Sequence, residues 1–163
     1  MIFQIKEIIR IIATVVLVSI LMFLVQPNLY SGGVIPISED VATWVPEKYM
    51  TSAVIVLLSA VLPLGLWAFL TGRAKATPRD MGGWALLWWV LLLIPILGVC
   101  AGVYLACDAS REGTSQDALL SLSGLFVLDI LLLFWLPTAM NTPGNLRYGA
   151  VPLSLPVRKL IGE

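Results

Sequence analysis

Histidine is absent from this chain, and cysteine occurs only at Cys100 and Cys107. Zinc and haem sites draw on clusters of these residues, so neither is expected, and no cofactor or metal site is assigned. Seven residues apart on one helix, the two cysteines would sit about 10.5 Å apart at a rise of about 1.5 Å per residue. A disulfide tolerates at most about 7 Å between Cα atoms, so they cannot bridge within a helix and read as small apolar filler. Charge is scarce as well: charged residues make up 12% of the chain, and ten Lys and Arg against ten Asp and Glu leave a formal net charge of zero. Without a basic stripe there is nothing to neutralise phosphates, which argues against a nucleic-acid partner. The residue order also lacks a nucleophile–base pair, a cluster of metal ligands and a phosphate-binding loop, so no catalytic residue is assigned.

What is present is apolar. Hydrophobic residues are 59% of the 163 positions, and the mean hydropathy is +0.94. A soluble domain of this size has too much surface per unit volume to hide such a composition, whereas a bilayer accepts it. Four apolar runs stand out, at about Ile8–Val25, Ser52–Thr71, Trp84–Ala106 and Ala118–Leu136. Each is near the roughly 20 residues a helix needs to cross the hydrocarbon core, and none shows the alternation of a strand. The expected fold is therefore all-α: one four-span transmembrane bundle over residues 1–163, with an interfacial tail at 137–163. A cleaved signal peptide is the lesser reading of the first run, because no small-residue cleavage site follows and Gln26-Pro27-Asn28 reads as a helix exit.

Orientation follows from the loops. Lys6 and Arg10, then Arg73, Lys75 and Arg79, then Arg147, Arg158 and Lys159 lie on one side of the four runs. The other two loops carry Glu39, Asp40, Glu47, Asp108, Glu112 and Asp117 against Lys48 and Arg111. The basic side is the cytoplasmic one, which predicts both termini inside. In the first external loop, Ser38-Glu39-Asp40 can cap a short helix to about Val45. Its apolar Val41, Trp44, Val45 and Tyr49 predict that it lies along the membrane surface, a lid over a cavity being the alternative.

Asp129 is the ionisable residue deep in a span, and such a residue marks function by default. The other spans offer no basic partner, so it is expected to be protonated or hydrogen-bonded to Ser59, Tyr104, Ser121 or Ser123. It serves either packing or a transport path. Pro63 and Pro95 should each kink a span. Gly98 and Gly102 form a Gly-x-x-x-Gly pattern suited to close helix packing, within the bundle or between copies. Trp67, Trp84, Trp88 and Trp89 gather at the cytoplasmic ends of two spans and read as an aromatic belt. An enzyme acting on lipid would use Trp84, Arg79, Asp80 and Arg147 at that interface, although a carboxylate beside arginines is more simply a solvated ion pair. The two halves of the chain do not repeat, which disfavours an inverted-repeat transporter.

Two stretches carry a family resemblance. Lys75-Ala-Thr-Pro-Arg-Asp-Met-Gly-Gly-Trp84, running on to Leu93-Ile-Pro-Ile-Leu-Gly98, resembles a basic Gly-Trp turn leading into an apolar helix. Thr142-Pro-Gly-Asn-Leu-Arg-Tyr-Gly149 resembles a TPGENRYG ending. Both are similar to the small bacterial inner-membrane proteins of the YhaH/YhaI type, a family whose domain has no established function. Gly83, Trp84, Pro95, Gly98, Pro143, Gly144, Arg147, Tyr148 and Gly149 carry the match. The family's Arg-Arg-Leu-His-Asp segment is absent, with Lys75 in register with one arginine, and an acidic loop and a fourth span separate the two motifs. The resemblance implies a helical bundle in a bacterial cytoplasmic membrane and brings no catalytic residues. The tail reads as interfacial, with Tyr148 at headgroup depth and Leu153, Leu155, Val157, Leu160 and Ile161 too apolar to be free. Expected partners are the lipid bilayer and another membrane protein or a second copy. The expected role is non-catalytic, as an accessory subunit of a membrane complex or an immunity-type protein that binds a membrane toxin. The alternative is a small oligomeric channel or proton-coupled transporter centred on Asp129.

Overall fold

The computed structural model describes residues 5–73, 81–107, 116–142, 146 and 149–160. Their regular structure is entirely helical, with no strand among them. Four long helices result. Helix α1 is Ile5–Ser31, α2 is Val41–Arg73 and α3 is Met81–Cys107. Helix α4 runs through Gln116–Ile130, Leu131–Trp135 and Leu136–Asn141, and a short α5 follows at Ser154–Leu160. Each of the four long helices has the length and composition to cross a membrane.

The helices overrun the apolar runs of the sequence, and the reason lies at prolines. Pro27, Pro46 and Pro137 would each break an α-helical ladder, because proline lacks the N–H and its ring crowds the preceding turn. Here Pro46 lies in a widened π turn, Val45–Tyr49, while Pro27 and Pro137 each follow two residues after one, Leu21–Val25 and Leu131–Trp135. The extra residue in such a turn shifts the hydrogen-bond register and lets the helix continue. Gln26-Pro27-Asn28 is therefore not an exit, and α1 continues to Ser31. It ends where Gly33 takes φ +71°. There the N–H of Gly33 reaches Tyr30 O and that of Val34 reaches Leu29 O, which closes the last turn.

The short helix expected along the membrane surface is instead the opening of α2. Asp40, not Ser38, is its cap, accepting from the N–H of Ala42 at 3.2 Å. Lys48 pairs back to Glu39 at 3.1 Å, so charged residues that seemed to forbid a span are carried at its N-terminal end. Trp44 and Tyr49 are buried against the bundle, with the Trp44 indole N–H donating to Ala106 O at 3.0 Å. Pro63 and Pro95 lie buried inside unbroken α-helical stretches.

Helices α2 and α3 form the closest pair, and glycine makes it possible. A side chain at Gly98 would collide with the Ser59 side chain, and one at Gly102 would press on Val56 at 3.1 Å and Phe126 at 3.3 Å. The Gly-x-x-x-Gly pattern is thus used inside the bundle. Two contacts show that α2 and α4 run in the same direction: Tyr49 meets Phe126 near one end, and Trp67 meets Thr142 near the other. Outside, large apolar side chains such as Ile9, Leu17, Leu62, Leu97 and Leu120 are exposed on all four helices. In water that surface would be costly, at about 25 cal/mol per Å². The fold is that of a multi-pass membrane protein.

Candidate functional site

The buried polar groups fall into two tiers, an outer one nearer the start of α2 and an inner one nearer its end. The outer tier is built on Asp129, which is fully buried on α4, two residues before its π turn begins. Its Oδ1 accepts a hydrogen bond from the Gln26 side-chain amide at 2.8 Å. The Tyr49 hydroxyl donates in turn to Gln26 Oε1 at 2.7 Å and to Met22 O at 2.8 Å, sharing one proton between two acceptors. Gln26 and Tyr49 are themselves buried, so the chain of bonds links α1, α2 and α4 without reaching the surface.

Backbone arithmetic explains why Tyr49 is needed. In the π turn of α1 the N–H of Gln26 bonds to Leu21 O. The next residue, Pro27, has no N–H, so Met22 O loses both of its helical donors. Buried away from water, a carbonyl in that position must find a partner or carry a penalty of about 1–3 kcal/mol. Tyr49 supplies it from the neighbouring helix.

An aromatic stack walls this tier. Tyr30 meets Trp44 edge-on at 5.1 Å, Tyr30 and Trp44 flank Tyr49 at 5.7 and 6.0 Å, and Phe126 lies 6.0 Å from Tyr49. The Tyr30 hydroxyl stands 3.5 Å from Ser121 Oγ, at the outer limit of a hydrogen bond. Asp129 Oδ2 and Ser52 Oγ are buried and have no hydrogen-bond partner among the described residues.

None of the four side chains expected to partner Asp129 does so. Ser59 Oγ donates to Val56 O on its own helix at 2.8 Å and packs against Gly98. Tyr104 is exposed on the outer face. Ser121 and Ser123 donate back to Ala118 O and Leu119 O. Serine hydroxyls in helices regularly satisfy themselves in this way, which the residue order does not reveal.

The inner tier joins the end of α4 and the tail to α2 and α3. The indole N–H groups of Trp67 and Trp88 donate to Thr142 Oγ1 and Thr138 Oγ1, both at 3.1 Å. That of Trp135 donates to Pro152 O at 3.1 Å. Trp67 and Trp88 are therefore core residues, while Trp84 is half-buried against Trp67 and Trp89 is exposed. Of the four tryptophans expected to form an aromatic belt, Trp67 and Trp88 are tied into a hydrogen-bonded knot. Leu146, Ala150 and Val151 are buried in it, so the tail folds back onto the bundle. Leu153, expected to pack, is exposed and held at φ +58°. Arg147, Tyr148, Ile161 and the loop residues Lys75, Arg79 and Asp80 lie outside the described residues.

Three surface grooves are lined by described residues. One of about 480 Å³ is lined by Ile35, Pro36, Leu120, Ser121, Gly124 and Leu125. A second, apolar and of about 470 Å³, runs between α1 and α4 past Leu17, Leu21, Leu132 and Leu136. The third, of about 320 Å³, lies under the tail beside Trp89. None is lined by Asp129, Gln26 or Tyr49. Comparison with protein-family models, with curated proteins and with solved structures gives no match.

Chemically, the outer tier is suited to holding rather than conducting. A relay passes a proton between groups that can each gain and lose one, such as carboxyl, phenol or water. The group between Asp129 and Tyr49 is a carboxamide, which has no readily dissociable proton. Gln26 fixes the distance between the other two and ties α1 to both neighbours.

Proposed function

We propose that this chain is a non-catalytic protein of the bacterial inner membrane, with both termini cytoplasmic, that acts through protein–protein contacts. It serves as an accessory subunit of a membrane complex or as an immunity-type protein that binds a membrane toxin. The observation that carries this reading is the closure of the outer tier. Its one intramembrane acid is fully buried, bonded to an amide, and does not line any of the three grooves described. The acid then serves to fix one arrangement of helices, and the outside of the bundle is what a partner meets. The bacterial setting rests on the resemblance in the Gly-Trp turn and the tail, and the orientation on the basic residues of the N-terminus, middle loop and tail.

Purification of the tagged chain from its native membrane in mild detergent, followed by mass spectrometry, tests this. A stoichiometric companion that is lost when the outer loop around Ser38–Lys48 is altered supports the reading. A homo-oligomer with no companion overturns it.

A second reading, a small oligomeric transporter centred on Asp129, draws support from one feature. Three π turns fall on the helices that meet at Asp129, and such turns often accompany functional sites. Flux in liposomes that is abolished by Asp129→Asn would favour it; unchanged flux would leave the acid to packing.

A further inference from the structure

The apolar groove between α1 and α4 has two walls. Leu17, Leu21 and Val25 line it from α1, and Leu132 and Leu136 from α4, with Thr14 and Met140 at one end. Val18 is buried at its floor, while Leu17 and Ile20 stand exposed. The widened turns shape the other end: Leu21 and Val25 bound the turn of α1, and Leu132 belongs to that of α4. Beyond that end lies the bond between Gln26 and Asp129. From Gln26 back to Thr14 and from Asp129 on to Met140 is about 17 Å of helix on either wall. The groove therefore covers about half the roughly 30 Å of a bilayer's hydrocarbon core. The hydroxyl of Thr14 donates to Arg10 O at 2.9 Å, so it is already satisfied by its own helix.

Both walls belong to helices with the length and composition to cross a membrane, so hydrocarbon faces the groove. A volume of about 470 Å³ spread over about 12–16 Å of helix is a channel about 6–7 Å wide. A helix with its side chains is about 10–12 Å across and can lay only a ridge along such a channel, whereas one hydrocarbon chain enters whole. We propose that this groove holds one acyl chain of a membrane phospholipid. A chain seated there touches α1 and α4 at once, while lipid on a single convex helix touches one wall, and the added contacts contribute dispersion. The chain bridges to the bundle the helix whose apolar window is least buried. It gives α1 an apolar attachment beside the polar one through Gln26. This inference goes beyond both functional readings and stands whichever holds, because it depends only on the groove and the two spans.

Native mass spectrometry of the full chain, reconstituted with phosphatidylcholine and released from mild detergent, tests this. The expected spectrum carries one phosphatidylcholine per chain, retained after the other lipid is stripped away. Leu21→Trp with Leu132→Trp fills the groove and should lose that lipid, whereas Leu62→Trp with Leu97→Trp, on exposed faces elsewhere, should keep it. A parent chain that retains no phospholipid overturns the proposal, and so does equal retention in the filled and control variants. A homodimer that the filled variant alone loses also overturns it, by placing a second copy in the groove. Should the filled variant fail to fold, Leu132→Phe is the smaller filling. It should lower the retained fraction, and retention equal to the parent's overturns the proposal.

Discussion

Replacing Tyr49 by Phe removes one oxygen and leaves the ring, which isolates the bond to Met22. The ring's contacts with Tyr30, Trp44 and Phe126, all within 6.0 Å, are kept, so no cavity forms. What is lost is the single proton shared by Met22 O and Gln26 Oε1. One proton satisfies one acceptor at a time, so one orphaned buried carbonyl is counted, not two. The penalty for such a group is about 1–3 kcal/mol, and hydrogen bonds inside membrane proteins measure lower, about 0.6 kcal/mol on average and up to about 1.7. The expected destabilisation is about 1–2 kcal/mol, read from unfolding curves in mixed detergent–SDS micelles. Tyr104→Phe, on the exposed face, should move the curve by less than about 0.5 kcal/mol. The cause can be tested separately. Pro27→Ala restores an N–H five residues beyond Met22, the register of the π turn, and so offers that carbonyl a backbone donor. In that background Tyr49→Phe should cost clearly less. Equal costs in both backgrounds, or a Tyr49→Phe curve that overlays the parent, would refute the account of the freed carbonyl.

Other substitutions probe the packing. Gly98→Ala should destabilise the α2–α3 contact by about 1–3 kcal/mol through overpacking, and Ser59→Ala should recover part of that loss; no recovery would place the clash elsewhere. Gly65→Ala meets nothing within 4 Å and should be neutral or raise the melting temperature. Leu153→Gly should stabilise by up to about 1 kcal/mol, because an exposed leucine at φ +58° carries left-handed strain and little packing. Trp67→Phe removes the donor to Thr142 Oγ1 and should cost about 1 kcal/mol or more beyond the lost ring area. Its coupling to Thr142→Val, measured in a double-mutant cycle, should exceed about 0.5 kcal/mol.

The four helices were legible because hydropathy over about 20 residues integrates many weak signals into one. Their ends were not. Asp40, Pro46, Glu47 and Lys48 argue against a membrane span when taken one at a time. Folded, Asp40 caps α2, Pro46 sits in a widened turn, and Lys48 reaches Glu39. The same lapse hid the partners of Asp129. Gln26 reads as a helix exit because Pro27 follows it, and Tyr49 reads as part of a loop, which leaves only serines and a tyrosine inside the apolar runs as candidates. Asp129 itself was plain, since a lone acid in a span has no bland explanation from composition. The tail's return could not be read either. It depends on indole N–H groups meeting Thr138, Thr142 and Pro152, and nothing in residue order tells an indole that faces lipid from one that faces a threonine.

The polar groups of this bundle follow from where its helices are irregular. In lipid a carbonyl released by proline or by a widened turn finds no water, so a neighbouring helix has to bring a donor. That requirement places Tyr49 opposite Met22 and makes the contact specific, because a slide of α1 by one turn would move Met22 O about 5.4 Å away from its donor. Asp129 and Gln26 sharpen the same register, since an amide fits a carboxyl on one side and a phenol on the other in a single arrangement. Apolar packing alone would not choose so narrowly: α1 has the least buried apolar window of the four helices, and much of its side-chain surface faces outward. The small-residue seam of Gly98 and Gly102 holds α2 to α3 by close approach, with no polar group required. The polar tier therefore does for α1 what small residues do for α3, and loss of Gln26 or Tyr49 loosens the first helix before any other.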